Sequence, residues 1–435
     1  MSMTKKSVLA SLAAAALILS ACGTGGAGGD GATSGAASGA SAGTDSQTTL
    51  TFAYWDENQK PAIDKHIEEF NKQYPNITIE TTITPYAQYW TKLKTQAEGD
   101  NLPDLFWMNG PNIQLYATNS MLAPLDDLVE SGAVDPKNYP QALLDLYSSE
   151  GVQYGFPKDF DTIGVFYNKA IFDKAGVEYP KEDWTWDDFK NTALTISEKL
   201  KGEGIYGVAT QLDGGQVGYY NTILQSGGYI IKDGKSGYAE PGSIEGLQIW
   251  ADLIAAGASP DIKQMADTKP NVMFESGKAA MMWSGNWITT EIASKMPDVK
   301  QIDIAPMPSN KQRATVIHGL STVVSANSKN LDAAKAFITY LASKEAHMTE
   351  AELGTACPAF NGSQEVYEQS QPQWNMKVFA EAAKDYSFPY PVSLNTAVWN
   401  EYENELLNQA FSGDRPVDEV AKELAEKMQA ALDEE

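Results

Sequence analysis

Three clusters in this chain set a flat aromatic ring beside groups that make directional hydrogen bonds. Trp55-Asp56-Glu57-Asn58 is the first, Trp107 with Asn109-Gly110-Pro111-Asn112 the second, and Trp283-Ser284-Gly285-Asn286-Trp287 the third. The mixture suits a sugar, whose C–H face packs on a ring while its hydroxyls need paired donors and acceptors. Trp55 and Trp287 are expected at ligand, whereas Trp184, Trp186 and Trp250, at or inside helical patterns, read as core. Asp159 and Asp161 stand two apart, so on a strand both carboxyls point the same way. Such a pair could serve glycoside hydrolysis or simply accept hydrogen bonds from hydroxyls. No sequence feature sets a second carboxyl across a sugar from them, and the binding role is preferred. His66, His318 and His347 are scattered without ligand spacing, and no phosphate loop occurs, so neither metal nor cofactor is expected. Gly202-Glu203-Gly204-Ile205-Tyr206-Gly207 has the letters of a dinucleotide fingerprint, yet it follows a helical pattern and precedes the strand-like Val208-Ala209. A pyrophosphate site needs the opposite order, strand then helix, so these glycines read as a helix C-terminal turn.

The elements that must position these residues alternate between strand and helix. Leu50 to Trp55 and Ile77 to Ile83 read as strands, with an apolar face at Ile63, Ile67, Phe70 and Tyr74 on the helix between them. Tyr86 to Glu98 is helical and Leu105 to Met108 a buried strand. The pattern returns at Gly164 to Tyr167, where Asn168 caps a helix to Ala175, and Thr185-Trp186-Asp187-Asp188 resembles a capping box heading a helix to about Lys201. Ser243 to Ala256, Leu331 to Leu341, Ala397 to Phe411 and Val417 to Leu432 complete the helices. This is an α/β class with open, mostly parallel sheets, long enough for two domains. The first two aromatic clusters lie just past the carboxyl ends of strands, where ligands bind in open α/β sheets.

Composition and the N-terminus set the address. The formal net charge is −25, which argues against nucleic acid and anionic lipid as partners and favours neutral or cationic ligands. Lys5 and Lys6 precede the apolar run Val8 to Leu19, too short to cross a bilayer and of signal-peptide form. Leu19-Ser20-Ala21-Cys22 resembles the bacterial lipobox. Residues 1–21 are therefore expected to be removed and Cys22 to carry lipid, anchoring the chain on the extracytoplasmic side of the cell membrane, with a Gram-positive surface favoured. Gly23 to Gln47 holds no apolar residue larger than alanine and reads as a flexible tether, spanning 22–47 with its anchoring cysteine. The other cysteine, Cys357, reads as a small packed residue.

Taken in order, the motifs resemble the bacterial solute-binding proteins of ABC importers, in the sugar-binding group that includes maltose-binding protein. Glu98-Gly99-Asp100-Asn101-Leu102-Pro103-Asp104-Leu105 is similar to a Gly-x-x-Pro-Asp segment of that family. Gly155-Phe156-Pro157 through Tyr167-Asn168-Lys169, then Phe172 to Gly176 and Thr185-Trp186, resemble its Pro … Tyr-Asn-Lys stretch. Phe274 to Met281 with Gly285-Asn286-Trp287, and His318-Gly319 with Asn327-Ser328-Lys329, resemble later segments. The resemblance implies two lobes, 48–160 with 319–359 and 161–318 with 360–435, crossing near Phe160, His318 and Phe360. It implies no catalytic residue, a carbohydrate ligand held between the lobes, and a permease and an ATPase on separate chains, this chain acting as a monomer. Carried over by position, Trp55, Asp56, Glu57 and Asn109 contact sugar from the first lobe. Asp161, Trp283, Asn286, Trp287, His318 and Gly319 do so from the second lobe and the crossings, and loop position adds Asp213, Gln216 and Tyr390. A short neutral oligosaccharide is the expected ligand; the alternatives are a polyol or peptide on the same scaffold, or a surface glycosidase.

Overall fold

The computed structural model describes residues 47–435. The expected signal segment, the expected lipidation site at Cys22 and the expected tether up to residue 46 lie outside them. Nine strands build two open sheets: β1 (Thr48–Tyr54), β2 (Ile77–Ile83), β3 (Leu105–Asn109), β4 (Gly155–Pro157), β5 (Ile163–Asn168), β6 (Tyr206–Thr210), β7 (Ala279–Gly285), β8 (Ile302–Ala305) and β9 (Leu320–Val324). The first sheet has the order β2-β1-β3-β9-β4 and the second β8-β5-β7-β6.

Each sheet runs mostly in one direction, with a single strand reversed. β1 runs parallel to β2 and β3, but β9 enters antiparallel between β3 and β4. In the second sheet β6 is parallel to β7, while β5 is antiparallel to both β7 and β8. The reversal of β9 has a topological cause. β9 arrives from the other sheet rather than from a preceding β-α unit, so no crossover helix imposes a parallel direction on it.

Alternation decides which core each strand feeds. On β5, Ile163, Val165 and Tyr167 join one apolar cluster and Phe166 the other; on β7, Met281 and Trp283 join the first of these and Met282 the second. The second sheet is thus buried on both faces. Helices Trp186–Leu200, Pro241–Ala255, Thr396–Phe411 and Val417–Asp433 contribute to one side, and Phe379 of helix Lys377–Asp385 to the other. Helix starts follow local chemistry. Thr185 and Asp188 form a reciprocal capping box, and the Asn168 carboxamide accepts from the amides of Ala170 and Ile171. The fingerprint-like glycines do end a helix: Gly204 sits in the left-handed region at φ 67°.

Three chain segments run side by side between the sheets. Asp159–Phe160 pairs antiparallel with Cys357–Pro358. The Asp161 amide donates to the His318 carbonyl at 2.8 Å, and the His318 amide returns a bond at 3.1 Å. Cys357 is a buried free thiol packed at this crossing. Among the described residues no helix is long and apolar enough to cross a membrane.

Candidate functional site

Trp55 follows directly on β1, and its half-buried ring is held edge-on by Tyr86, Tyr89 and Trp107, with centroids 5.5, 4.9 and 5.1 Å away. Edge-to-face packing of this kind fixes a ring while leaving part of it open. Asp56 begins the next turn. One carboxylate oxygen accepts from the Asn58 amide at 2.9 Å and the other from the Gln59 carboxamide at 3.3 Å. Burial pushes its pKa up, against those hydrogen bonds. Glu57 beside it is exposed.

Asn109 ends β3 and begins helix Gly110–Thr118, yet its side chain does not cap that helix. Its Nδ2 instead faces the Tyr86 hydroxyl at 3.4 Å, and its Oδ1 accepts from Asn112 at 2.8 Å. Tyr86 therefore belongs with these residues, although the sequence suggested only the first residue of a helix. It is 53% exposed, while burial of its hydroxyl end raises the phenol pKa, with a smaller contribution from the charge of Asp213. The signal that could have found it is an aromatic at a helix N-terminus, after a strand and a proline, on the same side as Trp55.

At the crossing, Asp161 takes a hydrogen bond from Gln216 Nε2 at 2.5 Å, and its second oxygen lies 3.7 Å from His318 Nδ1. His318 Nε2 accepts from the Gly110 amide at 3.0 Å, which assigns the proton to Nδ1, the nitrogen that faces Asp161. The imidazole packs against Tyr390 with centroids 4.8 Å apart. One histidine thus joins the start of the Asn109 helix to the carboxylate at the crossing. Gly319 is buried, and a Cβ there would lie 2.2 Å from the Asp159 carbonyl; its own carbonyl accepts from Tyr147. It shapes the crossing rather than offering a side chain. Asp213 is exposed in the loop after β6.

The third aromatic cluster divides. Trp287 is partly buried and lies over Gly285, where a Cβ would fall 1.8 Å from its ring. Trp283, expected at ligand, is 1% exposed and packs against Phe189 and Trp250 in the second core. The cause is the double-faced burial of β7, which encloses alternate residues on both sides. Asn286 is also interior: its Nδ2 donates to the Phe160 carbonyl at 3.0 Å and its carbonyl accepts from Tyr367 and Thr289. It clips the end of β7 to the crossing. Asp159 is likewise committed, one oxygen to the Leu320 amide at 2.7 Å and the other to Lys158 at 2.9 Å, so the paired-carboxylate geometry of a glycosidase is not formed with Asp161. Among the described residues no cluster of histidine, cysteine and carboxylate groups fits a metal ion.

Two sheets joined by three adjacent crossings, with polar and aromatic side chains gathered beside them, define a hinged binding protein. The family model for the bacterial extracellular solute-binding protein matches residues 54–348, and the chain belongs to that family. This is a two-lobe periplasmic-binding-protein fold whose family serves transport rather than catalysis. The chain is 27% identical over 310 residues to the arabinooligosaccharide-binding protein of Bacillus subtilis, covering 69% of this chain and 70% of that one. It is 30% identical over 261 residues to the diacetylchitobiose binding protein DasA of Streptomyces coelicolor, covering 57% and 58%. Among solved structures, an ABC substrate-binding protein of Listeria monocytogenes in complex with cycloalternan superposes with a TM-score of 0.82 at 25% identity, over 88% of this chain and 98% of the other.

Proposed function

We propose that this chain captures a short neutral oligosaccharide between its lobes and delivers it to the permease of an ABC importer by hinge closure. The lobes are taken as 48–160 with 319–359 and 161–318 with 360–435. Trp55, Tyr86 and Asn109 face the sugar from the first lobe, with Asp56 and Glu57 as acceptors at its edge. Asp161, Gln216, Tyr390 and Trp287 complete the contact, with Asp213 at the rim. The convergence at His318 carries this function. Its imidazole bonds the residue after Asn109 on one side and faces Asp161 on the other, so acceptors and rings from separate parts of the chain meet at the hinge. Ligand that touches both lobes favours the shut form by its differential affinity. A binding free energy of about −8 kcal/mol, near micromolar, is enough for scavenging and still permits release. The relatives named for arabinooligosaccharide and diacetylchitobiose support an oligosaccharide over a single sugar. Lipid on Cys22 would hold the monomeric receptor at the outer face of the membrane beside its permease.

The test is a thermal-shift screen of the purified full chain against arabinotriose, diacetylchitobiose, galactobiose and maltotriose, with mannitol and a tripeptide included. A ligand that binds only the native state raises the midpoint by mass action. A rise with one or more of the oligosaccharides is expected. A rise with mannitol or the tripeptide alone would overturn the ligand class and leave the fold untouched.

A further inference from the structure

Lys158 is a lysine whose side chain is only 11% exposed, and no sequence motif gives it a role. Its ammonium donates to three acceptors from three parts of the chain: Gln59 Oε1 at 2.7 Å, Asp159 Oδ2 at 2.9 Å and Glu350 Oε1 at 3.0 Å. An ammonium has three protons and no lone pair, so this one is saturated and its position is fixed. Glu350 shows how firmly. Burial works against its carboxylate, but Lys158 and then His66 outweigh burial and hold it down to about 2.

The three bonds lead in different directions. Because Lys158 occupies the carboxamide oxygen of Gln59, the amide nitrogen of Gln59 must turn outward, and it meets Asp56 Oδ2. The same ammonium lies 5.3 Å over the Trp107 ring, which abuts Trp55. Both Asp56 and Trp55 are thus aimed through one buried cation. Towards the hinge, Asp159 passes the connection to the Leu320 amide. The Lys158 backbone is shared as well, its amide donating to the Leu320 carbonyl at 2.8 Å and its carbonyl accepting from Ala359 at 3.3 Å.

We propose that Lys158 is a positioning residue that ties the Trp55–Gln59 loop to the hinge crossings, so that the aim of Asp56 and Trp55 changes when the crossings move. This rests on that loop being a ligand contact, as proposed above. A core ion pair with no such role would stabilise the lobe without steering the loop.

Two arms test it on the full chain. The first uses 5-fluorotryptophan-labelled, ligand-free protein, with the Trp55 signal assigned by Trp55→Phe. Lys158→Met is expected to displace the Trp55 fluorine resonance, and an unmoved signal overturns the proposal. The second measures affinity by calorimetry for whichever of arabinotriose, diacetylchitobiose, galactobiose or maltotriose binds the native chain. Gln59→Met leaves Lys158 with both of its carboxylates, so the fold is kept. It is expected to weaken binding about tenfold, and in an Asp56→Asn background to add nothing further. Unchanged affinity, or losses that simply multiply, overturn the relay. If none of the four sugars binds the native chain, the oligosaccharide proposal falls while the fluorine arm still decides the role of Lys158.

Discussion

Tyr86 keeps half of its surface open while Asn109 holds its hydroxyl, so its removal separates binding from folding. Tyr86→Ala is expected to lower oligosaccharide affinity by roughly 1–2 kcal/mol, the worth of an aromatic contact with one hydrogen bond, and to leave the melting temperature within a degree or two. Calorimetry against the best sugar of the screen checks this; full affinity would remove Tyr86 from the cleft. Trp287→Ala should cost more, roughly 1.5–3 kcal/mol of affinity, since a larger ring is withdrawn. Its half-buried packing on Gly285 and both cores adds a measurable loss of stability, so the two losses must be read separately. At this scale the sequence was legible where a residue follows directly on a strand. Trp55 and Asn109 both stand at strand ends, and both line the same corner. Trp283 was not legible, because a strand buried on both faces shows no period that separates core from cleft. Gln59 and Lys158 were invisible for another reason, since their meaning lies in a contact spanning 99 residues.

Gly207 shows how an element rather than a ligand can require a glycine. It lies on β6 where the strand meets helix Trp186–Leu200, and a Cβ there would stand 2.0 Å from the Ala193 carbonyl. Its amide donates to Ser197 Oγ at 2.7 Å, which fixes the close approach. Gly207→Ala must therefore push backbone against backbone, at a cost of roughly 2–3 kcal/mol. Denaturant unfolding would show a lower midpoint with an unchanged slope; equal stability would mean that the helix can shift aside freely. The dinucleotide-like lettering around Gly207 is thus explained by packing. Helices were the most legible elements. Tyr86–Glu98 and Leu331–Leu341 have the limits that their periodicity indicated, and the Thr185 capping box heads its helix, because these signals are local. Pairing was not legible. Nothing local in Leu320-Ser321-Thr322-Val323-Val324 says that it enters antiparallel between β3 and β4, a placement set by strands more than 150 residues away.

For the whole molecule, buried ionisable groups make stability depend on pH in opposing ways. Glu403, 2% exposed, accepts hydrogen bonds from the hydroxyls of Tyr219, Tyr220 and Tyr238, while Tyr390 and Asn400 close the same chamber around Tyr220. Burial pushes its carboxyl up to about 7, more than the phenols pull it down. An unfolded glutamate titrates near 4.5. Between those values the native state keeps a proton that the unfolded chain has released, so this stabilisation is complete below pH 4.5 and is lost as pH rises through 7. The full effect is of order 3 kcal/mol. Buried His347, packed between Tyr139 and Phe360, acts the other way. Burial holds it down to about 4, so its contribution is present above pH 6.5 and is lost as pH falls through 4. Glu350 adds to the same acid limb between pH 4.5 and 2. The two limbs can be separated by calorimetric melting from pH 4 to 8. Glu403→Gln is expected to flatten the fall in melting temperature between pH 5 and 8 and to leave the acid limb in place. His347→Leu is expected to reduce the loss between pH 6.5 and 4 and to leave the alkaline limb in place. Parallel profiles for Glu403→Gln and the native chain would mean that the three phenols already hold the carboxylate ionised, and the alkaline limb would then belong to general repulsion in a chain of net charge −25.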